Sequence, residues 1–260
     1  MIQEVTPTPF GERLRAWRKR RGLSQMDLAI EAYTTPRHVS FIETGRSRPG
    51  RPLVLRLAEA LRLSLRDGNT LLVAAGLSPV YSESGLDDEA MRPVREIIER
   101  VLVNHNPYPA FAFAPGLRLL QANRTAERLF PGMSAVQPEQ LVELWCSPQP
   151  GVPEVEVRRA AYQVVNMLRQ ELFAHPHPDL PALLERAETL AKALGPPLEV
   201  SGDDGVVLGG KLRLDGREIN TIATVMRFDK PIDVTVAELR VELIFPADAA
   251  ADAFFRELPQ

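Results

Sequence analysis

Arg37, Ser40 and Phe41 lie in the segment TTPRHVSFIETG, Thr34 to Gly45, and their types suit one kind of chemistry. A guanidinium fork matches the two acceptors on the major-groove edge of guanine, a phenyl ring presses a thymine methyl, and a serine hydroxyl makes a short polar contact. Thr35-Pro36 reads as an N-cap followed by an N1 proline. On the helix they open, Val39 and Ile42 turn inward at helical spacing. Thr35, Pro36, Arg37, Ser40 and Phe41 are left on the open side, and Gly45 supplies the left-handed residue that ends the helix. The basic loop that follows, Arg46-Ser47-Arg48-Pro49-Gly50-Arg51, can reach phosphates with Arg46 and Arg48, setting affinity and position without reading bases.

Other side chains with reactive groups lack a constellation. No HExxH pair is present, and His175-Pro176-His177 sits on a loop or extended segment with no Cys or His nearby to complete a metal site. His105 reads as a turn residue, while His38 on the helix above either touches phosphate or packs. Cys146 beside Trp145 reads as a buried thiol, with redox sensing as the alternative. Gly209-Gly210-Lys211 lacks the spacing of a phosphate loop and reads as a turn. The expectation is therefore no enzyme, no metal and no cofactor.

The elements that position the reading face come just before it. Ser24 caps a first helix, with Asp27 in the capping-box position. Leu28 and Ala29 point to a core, Gln25 and Met26 sit at the open N-terminal end, and Tyr33-Thr34-Thr35 breaks the period. Two helices joined by a tight turn, the second keeping its outer face free, suit insertion into a major groove. An N-terminal helix over Phe10–Arg21 offers Leu14 and Trp17 to the core and ends in the run Arg18 to Arg21. A helix over Pro52–Leu63 offers Leu55, Leu57, Ala58 and Leu61, and another over Leu65–Ala75 stops at Gly76. Phe10 to Gly76 resembles the five-helix domain of the phage-repressor-like (Cro/C1, or XRE) helix-turn-helix family. That resemblance implies an internal Arg18–Glu43 pair and a Gln25 that approaches the DNA phosphates.

Charge agrees with DNA binding at one end only. Residues 1–66 carry 13 Lys and Arg against 6 Asp and Glu, whereas the remainder carries 18 against 28, a basic quarter joined to an acidic body. No apolar run approaches the roughly 20 residues needed to span a bilayer, and a single cysteine fits a reducing compartment, so a cytoplasmic protein is expected. Residues 1–9 read as a lead-in, 10–79 as the DNA-binding domain, 80–86 as a linker and 87–260 as a second domain.

In that second part Asp87–Val103 reads as a helix with an apolar stripe at Met91, Val94, Ile97, Ile98, Val101 and Leu102, suited to packing or to pairing with a second chain. Ala110–Phe113 and Leu117–Gln121 read as strands around an Ala-Pro-Gly turn. Asn123–Phe130, Gln137–Trp145, Val155–Phe173 and Asp179–Leu194 read as helices. Val206–Leu208, Gly210–Leu214, Arg217–Phe228 and Val234–Phe245 read as strands, with turns at Asp215-Gly216 and Asp229-Lys230-Pro231, before a last helix over Asp248–Leu258. The strand-turn-strand opening followed by NRTAERLF resembles a PAS domain. With AAYQVVNMLR, HPHPDLPALLERAETL and the closing GKLRLDGREI, IATVMRF and LRVELIF segments, residues 80–260 resemble the ligand-binding domain of MmyB-like transcription regulators. The stretch WCSPQPGVPEVE departs from that pattern.

The expected fold is α+β in two domains: an all-α five-helix head, then a PAS-like antiparallel sheet with covering helices. The resemblance implies a transcription regulator sensing a small lipophilic, fatty-acid-like molecule, and two copies pairing on a DNA operator. Apolar walls for such a ligand are expected from Phe111, Phe113, Leu119, Trp145, Met167, Phe173, Leu212, Thr224, Met226 and Leu243. The rivals are a helical head that recruits a protein partner, and an enzyme with a DNA-binding head.

Overall fold

The computed structural model describes residues 9–148, 152–174, 177–198, 210–214 and 217–259. The expected strand at Val206–Leu208, the Asp215-Gly216 turn, His175, Gly209 and all of the lead-in except Pro9 lie outside the described residues. The chain divides into two compact units. One runs to Glu83 and takes in Ile232–Val234; the other is Ser84–Pro231 with Thr235 to the end.

The first unit is built of α1 (Pro9–Arg20), α2 (Gln25–Glu31), α3 (Pro36–Glu43), α4 (Arg51–Ala60) and α5 (Leu65–Ala74). The local signals act as expected. Ser24 and Asp27 form a reciprocal capping box, Ser64 caps α5, and Gly45 and Gly76 take positive φ at +79° and +76°. Leu14, Leu28, Val39, Ile42, Val54, Leu57, Leu61 and Leu72 interlock in one core from which water is excluded, with Trp17 and Leu55 half-buried at its edge. After α5, the Asn69 carboxamide accepts from the amides of Val80 and Tyr81 and donates to the Tyr81 carbonyl, so the chain leaving the head is tied to α5. Ser82 then forms a parallel bridge with Asp233, its hydroxyl donating to the Asp233 carboxylate at 2.8 Å.

One close approach in the head has no signature in the sequence. A Cβ at Gly11 would lie 2.7 Å from the carbonyl oxygens of both Ile42 and Glu43, so at this point the backbones of α1 and α3 meet directly. Gly11→Ala should force the two helices apart and cost the head about 1–3 kcal/mol. A urea series followed by hydrogen exchange over α1 and α3 checks this. Unchanged protection in those two helices would show that the contact yields freely.

The second unit begins with a 3-10 turn at Glu89–Met91 and α6 (Arg92–Asn104). Pro93 in the first turn favours an α-helix starting here rather than at Asp87. Met91, Ile98 and Leu102 are buried, but Ile97, expected in the same stripe, is exposed. There follow β1 (Ala110–Ala114), β2 (Arg118–Ala122), α7 (Arg124–Leu129), α8 (Pro138–Cys146), α9 (Glu154–Ala174), α10 (Leu180–Ala193), β3 (Gly210–Leu214), β4 (Arg217–Met226), α11 (Val234–Glu238), β5 (Arg240–Pro246) and α12 (Ala249–Glu257). The strands form one antiparallel sheet in the order β2-β1-β5-β4-β3. The two-domain α+β architecture is thus the one expected, with five strands among the described residues.

The expectation of a single strand over Val234–Phe245 is corrected. Val234, Thr235, Glu238 and Leu239 are the buried positions. That spacing is helical, so the first five residues form α11 and the strand starts only at Arg240.

All five residues of β1 are buried, because both faces of the sheet are covered. Ala110 and Ala112 join Leu239, Val241, Ile98 and Leu102 under α6. Phe111 and Phe113 point the other way and pack with Leu119, Ala126 and Leu141 beneath α7 and α8. The helices α8, α9 and α10 bury a further cluster around Val142, Ala161, Val165, Leu168, Leu183 and Ala187.

Candidate DNA-reading face and sensor core

The reading face rests on a buried charge network. Arg18 donates from Nε to Glu43 Oε1 at 2.6 Å and from Nη2 to Oε2 at 2.9 Å, and its Nη1 donates to the Leu23 carbonyl. Their side chains are 10% and 1% exposed, so this is an interior pair. Gln25 donates from Nε2 to Glu43 Oε2 at 2.8 Å. The first residue of α2 is thereby fixed to the last residue of α3. Burial raises the Glu43 carboxyl, but hydrogen bonds from Arg18 and Gln25 and the charges of Arg18 and Arg15 outweigh it and hold the group below its ordinary value.

On α3 itself, Thr35 accepts from the His38 amide at 3.2 Å and Pro36 fills the first turn. Arg37 is exposed, and Ser40 and Phe41 are half-buried. The Phe41 ring has Arg37 5.2 Å from its centroid on one hand and Arg46 6.0 Å away on the other. Phe41 therefore orients two guanidinium groups by cation–π attraction, a role its sequence position did not suggest. The amides of Arg46 and Ser47 both donate to the Phe41 carbonyl, which folds the basic loop back onto the end of α3. His38 lies 3.1 Å from the Thr34 hydroxyl and 3.4 Å from that of Ser47, so it braces the turn. Gln25 is thus fixed to the end of α3. Thr35 and Pro36 open that helix, Ser40 and Phe41 lie on it, and Phe41 gathers Arg37 and Arg46. Arg48 stands exposed on the loop beyond.

The ten expected ligand residues do not form one group. Phe111, Phe113, Leu119 and Trp145 come together in a single aromatic cluster. Met226 and Leu243 lie on the opposite face of the sheet, under α6. Met167 packs in the helical cluster, Leu212 packs against Ile219 and Phe255, and Phe173 and Thr224 are exposed. The register decides this: Met226 pairs with Val241 and Thr224 with Leu243, placing them with Ala110 and Ala112 and away from Phe113.

On the Phe113 face stands a residue that the sequence reading passed over. Arg240 is 5% exposed, its guanidinium lies 5.4 Å from the Phe113 ring centroid, and it donates from Nη2 to Glu242 at 2.8 Å. The signal was present in the alternation of LRVELIF, which puts Arg240 and Glu242 on the side opposite Val241 and Leu243. Cys146 is buried, and burial pushes its thiol up to about 11, which leaves it unreactive at neutral pH. Among the described residues no group of three or more His, Cys, Asp or Glu is placed to hold a metal, and no helix is long and apolar enough to cross a membrane.

Two family models match the chain. One, described as "MmyB-like transcription regulator ligand binding domain", covers residues 94–258, and the other, described as "Helix-turn-helix domain", covers residues 9–68. A search of curated proteins finds no match.

Proposed function

The chain belongs to the MmyB-like transcription regulator ligand-binding-domain family, and from that premise we propose that it is a one-component switch working as a homodimer. It is a ligand-regulated transcription regulator with a helix-turn-helix DNA-binding domain. In the proposed arrangement two heads place their α3 helices in successive major grooves, about 34 Å apart, on a near-palindromic operator. The second unit takes a small lipophilic effector of the fatty-acyl kind, without a cofactor and without catalysis, in the cytoplasm. Binding shifts the paired heads because the effector favours one arrangement over the other. The observation that carries the DNA side is the Arg37–Phe41–Arg46 array at the open face of a doubly capped α3.

Selection of duplexes from a random pool, followed by titration of the winner at several salt concentrations, tests this. Arg37→Ala should cost about 1–3 kcal/mol at the preferred site and relax the preference at one base pair. Arg48→Ala should weaken all duplexes alike and flatten the log–log salt slope by about one. Identical behaviour of the two variants across operator changes would remove the division between base reading and phosphate contact.

A second reading, a head that recruits a protein partner, has one observation behind it. Met26, Ile30 and Tyr33 on and after α2 are 61%, 67% and 85% exposed. Duplex binding without salt dependence would favour it.

A further inference from the structure

Arg240 and Arg227 hold buried donors that are left open. Among the described residues, Arg240 Nε and Arg227 Nη1 are shielded from solvent and have no hydrogen-bond partner. Such groups are rare in folded proteins and costly to leave unmet. The two residues are neighbours: β4 and β5 pair Met226 with Val241, so the next position sets Arg227 opposite Arg240. Both lean on one stretch of α9, Arg240 through Nη1 to the Met167 sulfur at 3.5 Å and Arg227 through Nη2 to Glu171 at 2.5 Å. The Phe113 ring against Arg240 continues into Phe111, Leu119 and half-buried Trp145. The two arginines thus stand at one end of a strip of buried aromatic and aliphatic surface.

Charge decides what that end can be. Arg240 is balanced by Glu242, Arg227 by Glu171, and Glu238 is buried two residues before Arg240. Two cations already face at least as many carboxylates. Among the described residues, neither Arg240 nor Arg227 is left with an uncompensated positive charge to receive a further anion, whose desolvation beside buried Arg240 would go unrepaid. A neutral oxygen acceptor satisfies the open N–H groups without that penalty.

We infer that Arg240, with Arg227 beside it, binds the polar end of the effector, and that this end is an uncharged carbonyl, as in an acyl ester, amide or lactone, not a free carboxylate. The inference rests on the lipophilic effector proposed above and specifies its head group.

Titration calorimetry of the full chain at pH 8 with methyl decanoate and with sodium decanoate tests it. The ester should bind at least about tenfold more tightly than the acid. Because an ester also partitions better from water, the deciding readout is Arg240→Lys, which keeps a cation beside Glu242 but loses the planar fork. That substitution should weaken the ester about tenfold and close the gap between the two probes. Decanoate binding as tightly as the ester, or an ester affinity untouched by Arg240→Lys, overturns the inference and leaves a lipophilic effector standing. Failure of both probes to bind removes the lipophilic effector and the inference together. Should Arg240→Lys not fold, the same measurement on Arg227→Lys takes its place.

Discussion

Glu43→Ala should destabilise the DNA-binding head by about 3–5 kcal/mol, the cost of breaking a buried ion pair from one side. The carboxylate receives two bonds from Arg18 and one from Gln25. Without it, an Arg18 side chain that is 10% exposed keeps, among the described residues, only the Leu23 carbonyl as a partner. A domain stabilised by about 5–15 kcal/mol cannot absorb that loss without measurable opening. The double replacement Arg18→Met with Glu43→Leu should recover much of it, since an apolar pair of similar volume has no charge to bury. Acid acts on the same group with a definite sign. The folded carboxyl lies below its ordinary 4.5, so its stabilisation is fully present above that pH and is lost as pH falls through the lower folded value. Hydrogen exchange over α1, α2 and α3 during urea titration follows the head specifically. Protection free energies within about 0.5 kcal/mol of the parent chain would mean that the pair contributes nothing net, as exposed pairs commonly do.

What the chain announced in advance follows the range of each interaction. Caps are local, so Ser24 with Asp27, Thr35 with Pro36, and the turn at Gly45 could be read within four residues. The Arg18–Glu43 bond joins residues 25 apart and was accessible only through family resemblance. Gly11, in the first turn of α1, has no local motif around it that asks for glycine. Its reason, two backbone oxygens 2.7 Å from where a Cβ would stand, belongs to tertiary structure alone. Strand parity behaved similarly. Within one strand, alternation alone sets Phe111 with Phe113 and Met226 with Thr224. Which of those faces look at each other depends on the β4–β5 and β1–β5 registers, and a one-residue shift in register reverses the answer. The ten ligand candidates therefore scattered over both faces of the sheet and the helices beyond it. The buried arginine between them was overlooked because a charge in an alternating strand reads as solvent-facing.

Asn123→Ala should be the most damaging single change in the second unit, at about 3–6 kcal/mol. Asn123 is 4% exposed and uses its whole amide. Its Oδ1 accepts from the amides of Ala110 at 3.1 Å and Ala126 at 3.0 Å, while Nδ2 donates to the carbonyls of Leu102 at 3.2 Å and Tyr108 at 2.8 Å. One side chain thereby caps α7 and joins it to the end of α6 and the start of β1. Alanine removes the cap, worth about 1 kcal/mol, and leaves buried backbone groups unmet at about 1–3 kcal/mol each. Asn123→Asp is the sharper test because its shape is unchanged. A carboxylate still accepts from Ala110 and Ala126 but turns a second acceptor toward the Leu102 and Tyr108 oxygens. At neutral pH it should be nearly as harmful as alanine. On acidification the new carboxyl, raised by burial and by two facing oxygens, takes a proton and can donate to one of them, so part of the loss should return as pH falls. Urea unfolding of the three chains at neutral and mildly acidic pH, read by exchange over β1 and α7, measures this. Equal stability of the Asn and Asp chains at neutral pH would show that the two donor bonds are not what holds α6, β1 and α7 together.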